Sequence, residues 1–252
     1  MPEPRRQVIA IGGAGLAGPS EPPLLEQYIL AQTRKKDPAV CFLGTATGDA
    51  DAYITRFYAS FTRLPCRPSH VPLFGRTPDL RAVLLGQDAI YVGGGNTKSM
   101  LALWRDWGVE ALLRRAWRSG VVLAGVSAGA ICWFDSGITD SWADRLRVLP
   151  CLGLLPGTCC PHYDGEPERR PSLRRLVARG AVARALALDD GAAAHFVGRR
   201  LLRVVTSRPG AGACDVRRVG SGPAETPLAV TRLPVRARSS RTGAATRRGG
   251  TS

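Results

Sequence analysis

A serine hydroxyl becomes a useful nucleophile only when a base takes its proton and the backbone presents it to a substrate. Gly125-Val126-Ser127-Ala128-Gly129 offers such a presentation. The apolar run Val121-Val122-Leu123-Ala124 precedes it and a helical pattern follows from Ala128, the strand–turn–helix context of a nucleophile elbow. The chain must reverse at a single residue, which strains that residue and exposes its side chain. Glycines on either side let the two segments cross closely. The Ala128 N–H then points to where an oxyanion would form. The competing reading is a small-residue turn with an ordinary capping serine.

Three histidines could supply the base. His70 falls on the alternating register of a strand-like run and reads as structural. His195 lies inside Ala192-Ala193-Ala194-His195-Phe196-Val197 and reads as a hydrogen-bonded core residue. His162, in Cys160-Pro161-His162-Tyr163-Asp164, follows a Gly/Pro loop at a sheet edge, where it is placed to reach an elbow serine. Gly93-Gly94-Gly95-Asn96-Thr97 ends the strand before the elbow strand. Its glycines permit close backbone approach, so a second oxyanion N–H can come from here, while Asn96-Thr97 cap the next helix.

Other patterns carry less. Gly13-Ala14-Gly15-Leu16-Ala17-Gly18 matches G-x-G-x-x-G, but the second strand ends Phe42-Leu43-Gly44-Thr45 without the acid a dinucleotide site needs. It reads as a glycine turn lining a cleft. Cys159, Cys160 and His162 do not have usual zinc spacing, and the seven cysteines contain no C-x-x-C pair, which fits a reduced compartment. The net charge of +15 invites a nucleic-acid reading. Five arginines lie in residues 233–252, however, and Arg outnumbers Lys 32 to 3 throughout. That skew reads as compositional bias as much as selection for a binding groove, and no aromatic residues interleave with the cations as a single-strand platform requires, so nucleic acid is not expected as a partner.

These residues must be positioned by something. Apolar strands at Val8–Ile11, Val40–Gly44, His70–Phe74, Ala89–Val92 and Val121–Gly125 alternate with amphipathic helical patterns. Such alternation predicts a mostly parallel sheet covered on both faces. One helix, Pro171 to Arg179, follows His162. Strand-like runs at Ala185–Leu188, Ala193–Val197, Leu201–Val205 and Cys214–Val219 then predict an antiparallel extension of the same sheet. The reading is one α/β domain over residues 1–232 and a disordered basic tail over 233–252. No apolar stretch of about 18 residues or signal-peptide core is present, so a cytoplasmic protein is expected.

Tyr91-Val92-Gly93-Gly94-Gly95-Asn96-Thr97, Gly125-Val126-Ser127-Ala128-Gly129-Ala130 and Pro161-His162-Tyr163-Asp164 resemble, in this order, peptidase E. These are aspartyl dipeptidases of the serine peptidase family that also contains cyanophycinase. The resemblance covers about residues 7 to 232 and implies a class I glutamine amidotransferase-like fold. Glutaminases of that fold carry cysteine at the elbow, so Ser127 argues against glutamine hydrolysis. The resemblance implies Ser127 as nucleophile, His162 as base and an acid shortly after the elbow, best matched by Asp140. Asp135, Asp164, Glu166, Asp189 and Asp190 stay open as alternatives. It also implies an oxyanion hole from Ala128 and Gly94, and a small peptide with N-terminal aspartate as substrate. Arg169 and Arg170 are candidates to pair with its carboxylate, with Asn96 and Thr97 nearby. No cofactor or metal is implied, no membrane partner is expected, and a homodimer is left open. Cyanophycinase-like cleavage of β-aspartyl-arginine bonds, or a non-catalytic binding domain of the same fold, are the alternatives.

Overall fold

The computed structural model describes residues 5–220 and 222–235. The first half runs β1 (Gln7–Ile11), α1 (Leu24–Gln32), β2 (Ala39–Leu43), α2 (Asp51–Phe61), β3 (Arg67–His70), α3 (Leu80–Leu85), β4 (Ala89–Val92), α4 (Thr97–Asp106), α5 (Val109–Arg118), β5 (Val122–Val126) and α6 (Ala128–Ile131). Five of these strands form a parallel array in the order β1-β5-β4-β2-β3. Residues of β1 alternate between two clusters. Val8 and Ala10 pack with Met100, Trp104 and Leu113, whereas Ile9 and Ile11 pack with Ile29, Phe57 and Phe61. The sheet is therefore buried on both faces, which is why its strands read as continuous apolar runs.

The second half runs β6 (Phe134–Thr139), β7 (Arg147–Pro150), β8 (Leu155–Cys160), α7 (Arg169–Ala178), β9 (Arg184–Leu188), β10 (Ala192–Val197), β11 (Arg200–Thr206), β12 (Ala213–Val219), β13 (Gly222–Pro227) and β14 (Val230–Arg232). Here the expectation of one extended sheet needs correction. β10, β11 and β14 do extend the first sheet beyond β1, with β10 antiparallel to it. The strands β9, β12 and β13 join β6, β7 and β8 in a second, six-stranded mixed sheet. Its apolar face, including Ile138, Cys160, Ala185 and Val216, packs against Leu173 and Val177 of α7. The cause is local. α6 has one turn, because the apolar run after it pairs with β8 instead of continuing as helix.

One smaller expectation also shifts. The strand predicted at His70–Phe74 lies earlier, at Arg67–His70. Of the tail, Leu233 is still held by an N–H bond to the Thr206 carbonyl, and residues 236–252 lie outside the described residues. Among the described residues no helix is long and apolar enough to cross a membrane.

Candidate active site

Ser127 leaves β5 with φ 56° and ψ −113°, a conformation rarely adopted by a residue with a Cβ. Its N–H is anchored on the Ile11 carbonyl of the neighbouring strand at 3.1 Å. A Cβ on Gly125 would overlap the Gly129 carbonyl, and one on Gly129 would overlap the Val92 carbonyl. Both flanking glycines are thus required by the crossing, as the elbow reading supposes.

His162 stands on the loop between β8 and α7. It too has a positive φ, 53°. The loop is fixed on both sides of the ring: Tyr163 N–H donates to the Leu188 carbonyl at 3.0 Å, and Glu166 N–H donates to the His162 carbonyl at 3.1 Å. His162 Nε2 lies 2.9 Å from Ser127 Oγ. On the other side of the ring, Nδ1 lies 2.7 Å from Asp190 Oδ1. Both ring nitrogens therefore have partners suited to a serine–imidazole–carboxylate relay.

The carboxylate behind His162 is thus Asp190, and not Asp140. Asp140 lies at the end of β6, mostly exposed, with Oδ2 3.3 Å from Arg169 Nη2. Asp190 occupies the turn between β9 and β10, where the second sheet hands the chain back to the first. Its position is clasped. Asp190 N–H donates to Asp164 Oδ1 at 2.9 Å, Arg208 Nε donates to the Asp190 carbonyl at 2.9 Å, and Arg208 and Asp164 pair with each other. Burial pushes the Asp164 carboxyl up, but the Asp190 N–H and the Arg208 guanidinium outweigh it and hold the group below its ordinary range.

The glycine loop after β1 belongs to this site. Gly13 O accepts the Gly191 N–H at 2.9 Å. A Cβ on Gly13 would overlap Asp190 Oδ1 and press on His162 Nδ1. The Asp190–His162 hydrogen bond passes directly over this glycine, which accounts for a G-x-G motif where no dinucleotide acid follows.

Other expected site residues are brought near but put to different use. Gly94 packs against Ser127, yet its N–H donates to the Tyr53 hydroxyl at 3.0 Å. Tyr53 escaped the sequence reading because nothing local marks one aromatic on α2. Asn96 caps α4 through Ser99 N–H and donates to the Ser141 carbonyl; Thr97 is fully buried and accepts from Thr139. Arg169, 1% exposed, is held by Glu166 at 2.6 Å, the Ile138 carbonyl at 2.9 Å and Asp140. Arg170 is clamped to Glu225 and stacks on Tyr163. Neither arginine presents a free guanidinium to a substrate carboxylate, because each already faces an acid. Of the remaining acids, Asp135 accepts the Gly157 N–H and Asp189 the Gly212 N–H. Burial pushes the Cys160 thiol up to about 12, so it is no ready thiolate, and among the described residues no group of three or more His, Cys, Asp or Glu could hold a metal.

A family model described as peptidase family S51 matches residues 8–204. A Bacillus subtilis (strain 168) protein named as an uncharacterized peptidase, YgaJ, is 48% identical over 229 residues, 90% of this chain and 99% of that protein. The solved structure of a peptidase from an acI-B1 Actinobacterium is similar with a TM-score of 0.64 at 16% identity, covering 90% of this chain and 95% of that one. A protein assigned to peptidase E from Listeria monocytogenes EGD-e gives 0.60 at 17%, covering 79% and 97%. At those identities the two structures speak for the fold alone.

Proposed function

The chain belongs to peptidase family S51 and is a serine peptidase, and from that premise we propose that it hydrolyses small peptides with an N-terminal aspartate through Ser127, His162 and Asp190. The observation that carries the reading is the unbroken line from Ser127 Oγ through the imidazole to Asp190. Ser127 Oγ attacks the peptide carbonyl while His162 Nε2 takes its proton. Asp190 holds the ring with Nδ1–H towards itself and stabilises the imidazolium. The same proton then passes to the leaving amine, and water reverses the sequence to release the acyl group. The oxyanion would meet the Ala128 N–H. Gly94 would contribute only by exchanging the Tyr53 hydroxyl for the substrate oxygen.

Residues 1–232 are read as one peptidase unit, with a two-sheet arrangement of the class I glutamine amidotransferase type. The aspartate preference rests on the motif resemblance. Arg169 and Arg170 are not its carriers, since both are engaged by acids. One observation favours the second reading, cyanophycinase-like cleavage beside a β-aspartyl-arginine unit. Glu166 lies 4.0 Å from His162 Nε2 and shares Arg169 with Asp140, which leaves one carboxylate in excess beside the site, suited to a cationic side chain. Purified protein offered Asp-Leu and β-Asp-Arg separates the two. Ser127→Ala is expected to lower turnover of the preferred peptide by several orders of magnitude; wild-type rates from that variant would rule the mechanism out.

A further inference from the structure

Glu166 has no part in the relay, yet it sits against the nitrogen that serves Ser127. Its Oε1 lies 4.0 Å from His162 Nε2. The other oxygen, Oε2, accepts from Arg169 Nε at 2.6 Å, and Arg169 is itself buried and tied to the Ile138 carbonyl. The carboxylate is therefore held by a fixed cation from below while 42% of the side chain stays exposed. Such a clamp keeps one oxygen in place beside the reacting atoms at little conformational cost.

The local charge is unbalanced. Arg169 is one cation facing two carboxylates, Glu166 and Asp140, so the trio carries a formal −1 at the mouth of the site. A cationic group of a ligand would be attracted to it. In a peptide cleaved after its first residue, the α-nitrogen is two bonds from the attacked carbon, about 2.5 Å away from the bond lengths and angle. It cannot be far from Ser127 Oγ once the carbonyl is in place. A guanidinium at the end of a side chain has no such constraint.

We propose that Glu166 is a specificity-determining residue that binds the α-ammonium of the substrate. The inference rests on Ser127 being the nucleophile, and it leaves open which side chain follows the ammonium. It also gives Arg169 a role: it positions Glu166 and does not touch substrate.

The test uses the full chain and a pair of diphenyl 1-aminoalkylphosphonates, one with a free ammonium and one N-acetylated. Ser127 Oγ attacks phosphorus, phenoxide leaves and His162 takes the serine proton, so the labelling rate reports the site without requiring a known substrate. Wild type is expected to react about 10- to 100-fold faster with the free-ammonium probe, the scale of one charge-assisted hydrogen bond. Glu166→Gln, which keeps a carbonyl oxygen for Arg169, should level the two rates by slowing only the free-ammonium reaction. Equal rates in wild type would overturn the proposal, even if the variant failed to fold. So would a variant that slows both probes alike, which would mean that Glu166 acts on His162. Absence of labelling by both probes would remove the nucleophile and the proposal with it. Labelling that favours the free ammonium, together with intact Asp-Leu, would leave Glu166 standing and refute only the aspartate preference.

Discussion

Ser127 and His162 share an unusual property: both have a side chain and both sit at positive φ. Each is strained for the same reason, since the chain turns sharply there to aim a side chain at the other. Strain of this kind persists only where the surroundings over-determine it. Here they do, through the Ile11 carbonyl behind Ser127 and the Leu188 carbonyl behind the His162 loop. Asp190, the third residue of the proposed relay, lies 2.7 Å from Nδ1, where accepting its N–H would fix the ring's tautomer. Asp190→Asn is expected to lower kcat on Asp-Leu by about four orders of magnitude, the cost of a wrongly held tautomer. Asp140→Asn touches only the Arg169 pair and should cost far less, about tenfold or under in kcat/KM. Steady-state kinetics of both variants decide the assignment; comparable losses would remove Asp190 from the relay.

At the scale of elements, the site is built where four connections converge: the β1 loop, the β5–α6 elbow, the β8–α7 loop and the β9–β10 turn. The first and last are stitched together at Gly13 and Gly191. Gly13 leaves no room for a side chain, because Asp190 and His162 meet above it. Gly13→Ala should therefore fold and yet displace Asp190 from the imidazole. A displacement of about 1 Å is enough to lose on the order of 100-fold in kcat. Circular dichroism establishes the fold and kcat on Asp-Leu the effect. An active Gly13→Ala protein would show that the loop is mere lining. The G-x-G motif was visible in the sequence, but its partner sits on the β9–β10 turn, adjacent in space and remote in the chain, and no local pattern pointed from Gly13 to Asp190.

Across the whole molecule, the first sheet is locked by a histidine outside the site. His195 on β10 is fully buried, bonded to Tyr28 of α1 at 2.7 Å and to Gln7 of β1 at 3.2 Å. Burial, with Arg5 and Arg203 adding to it, pushes its pKa down from 6.5 to about 4. The unfolded chain then binds a proton that the folded chain refuses between these values. Stability is full above about pH 6.5 and is lost as pH falls toward about 4, by about 3 kcal/mol from this group. Urea midpoints at pH 7 and pH 4.5 should show a smaller acid loss in His195→Gln than in wild type. An identical acid loss in the two proteins would mean that His195 titrates normally.

Much of this was written in local pattern. The parallel strands announced themselves because burial on both faces makes them continuously apolar. Ser127 did so because an elbow needs glycines at fixed offsets, and His162 because the other two histidines lie within strand patterns. What no local pattern held was pairing between distant segments. Whether β9 joins the first sheet or a second depends on which edge is free when the chain returns. That choice set Asp190, and not Asp140, behind the imidazole. It also turned Arg169 away from a substrate and onto Glu166. The sequence alone determined the chemistry available and the elbow that presents it; the tertiary structure decided which carboxylate serves the base, since a hydrogen bond of 2.7 Å depends on where two loops end in space and not on their spacing in the chain.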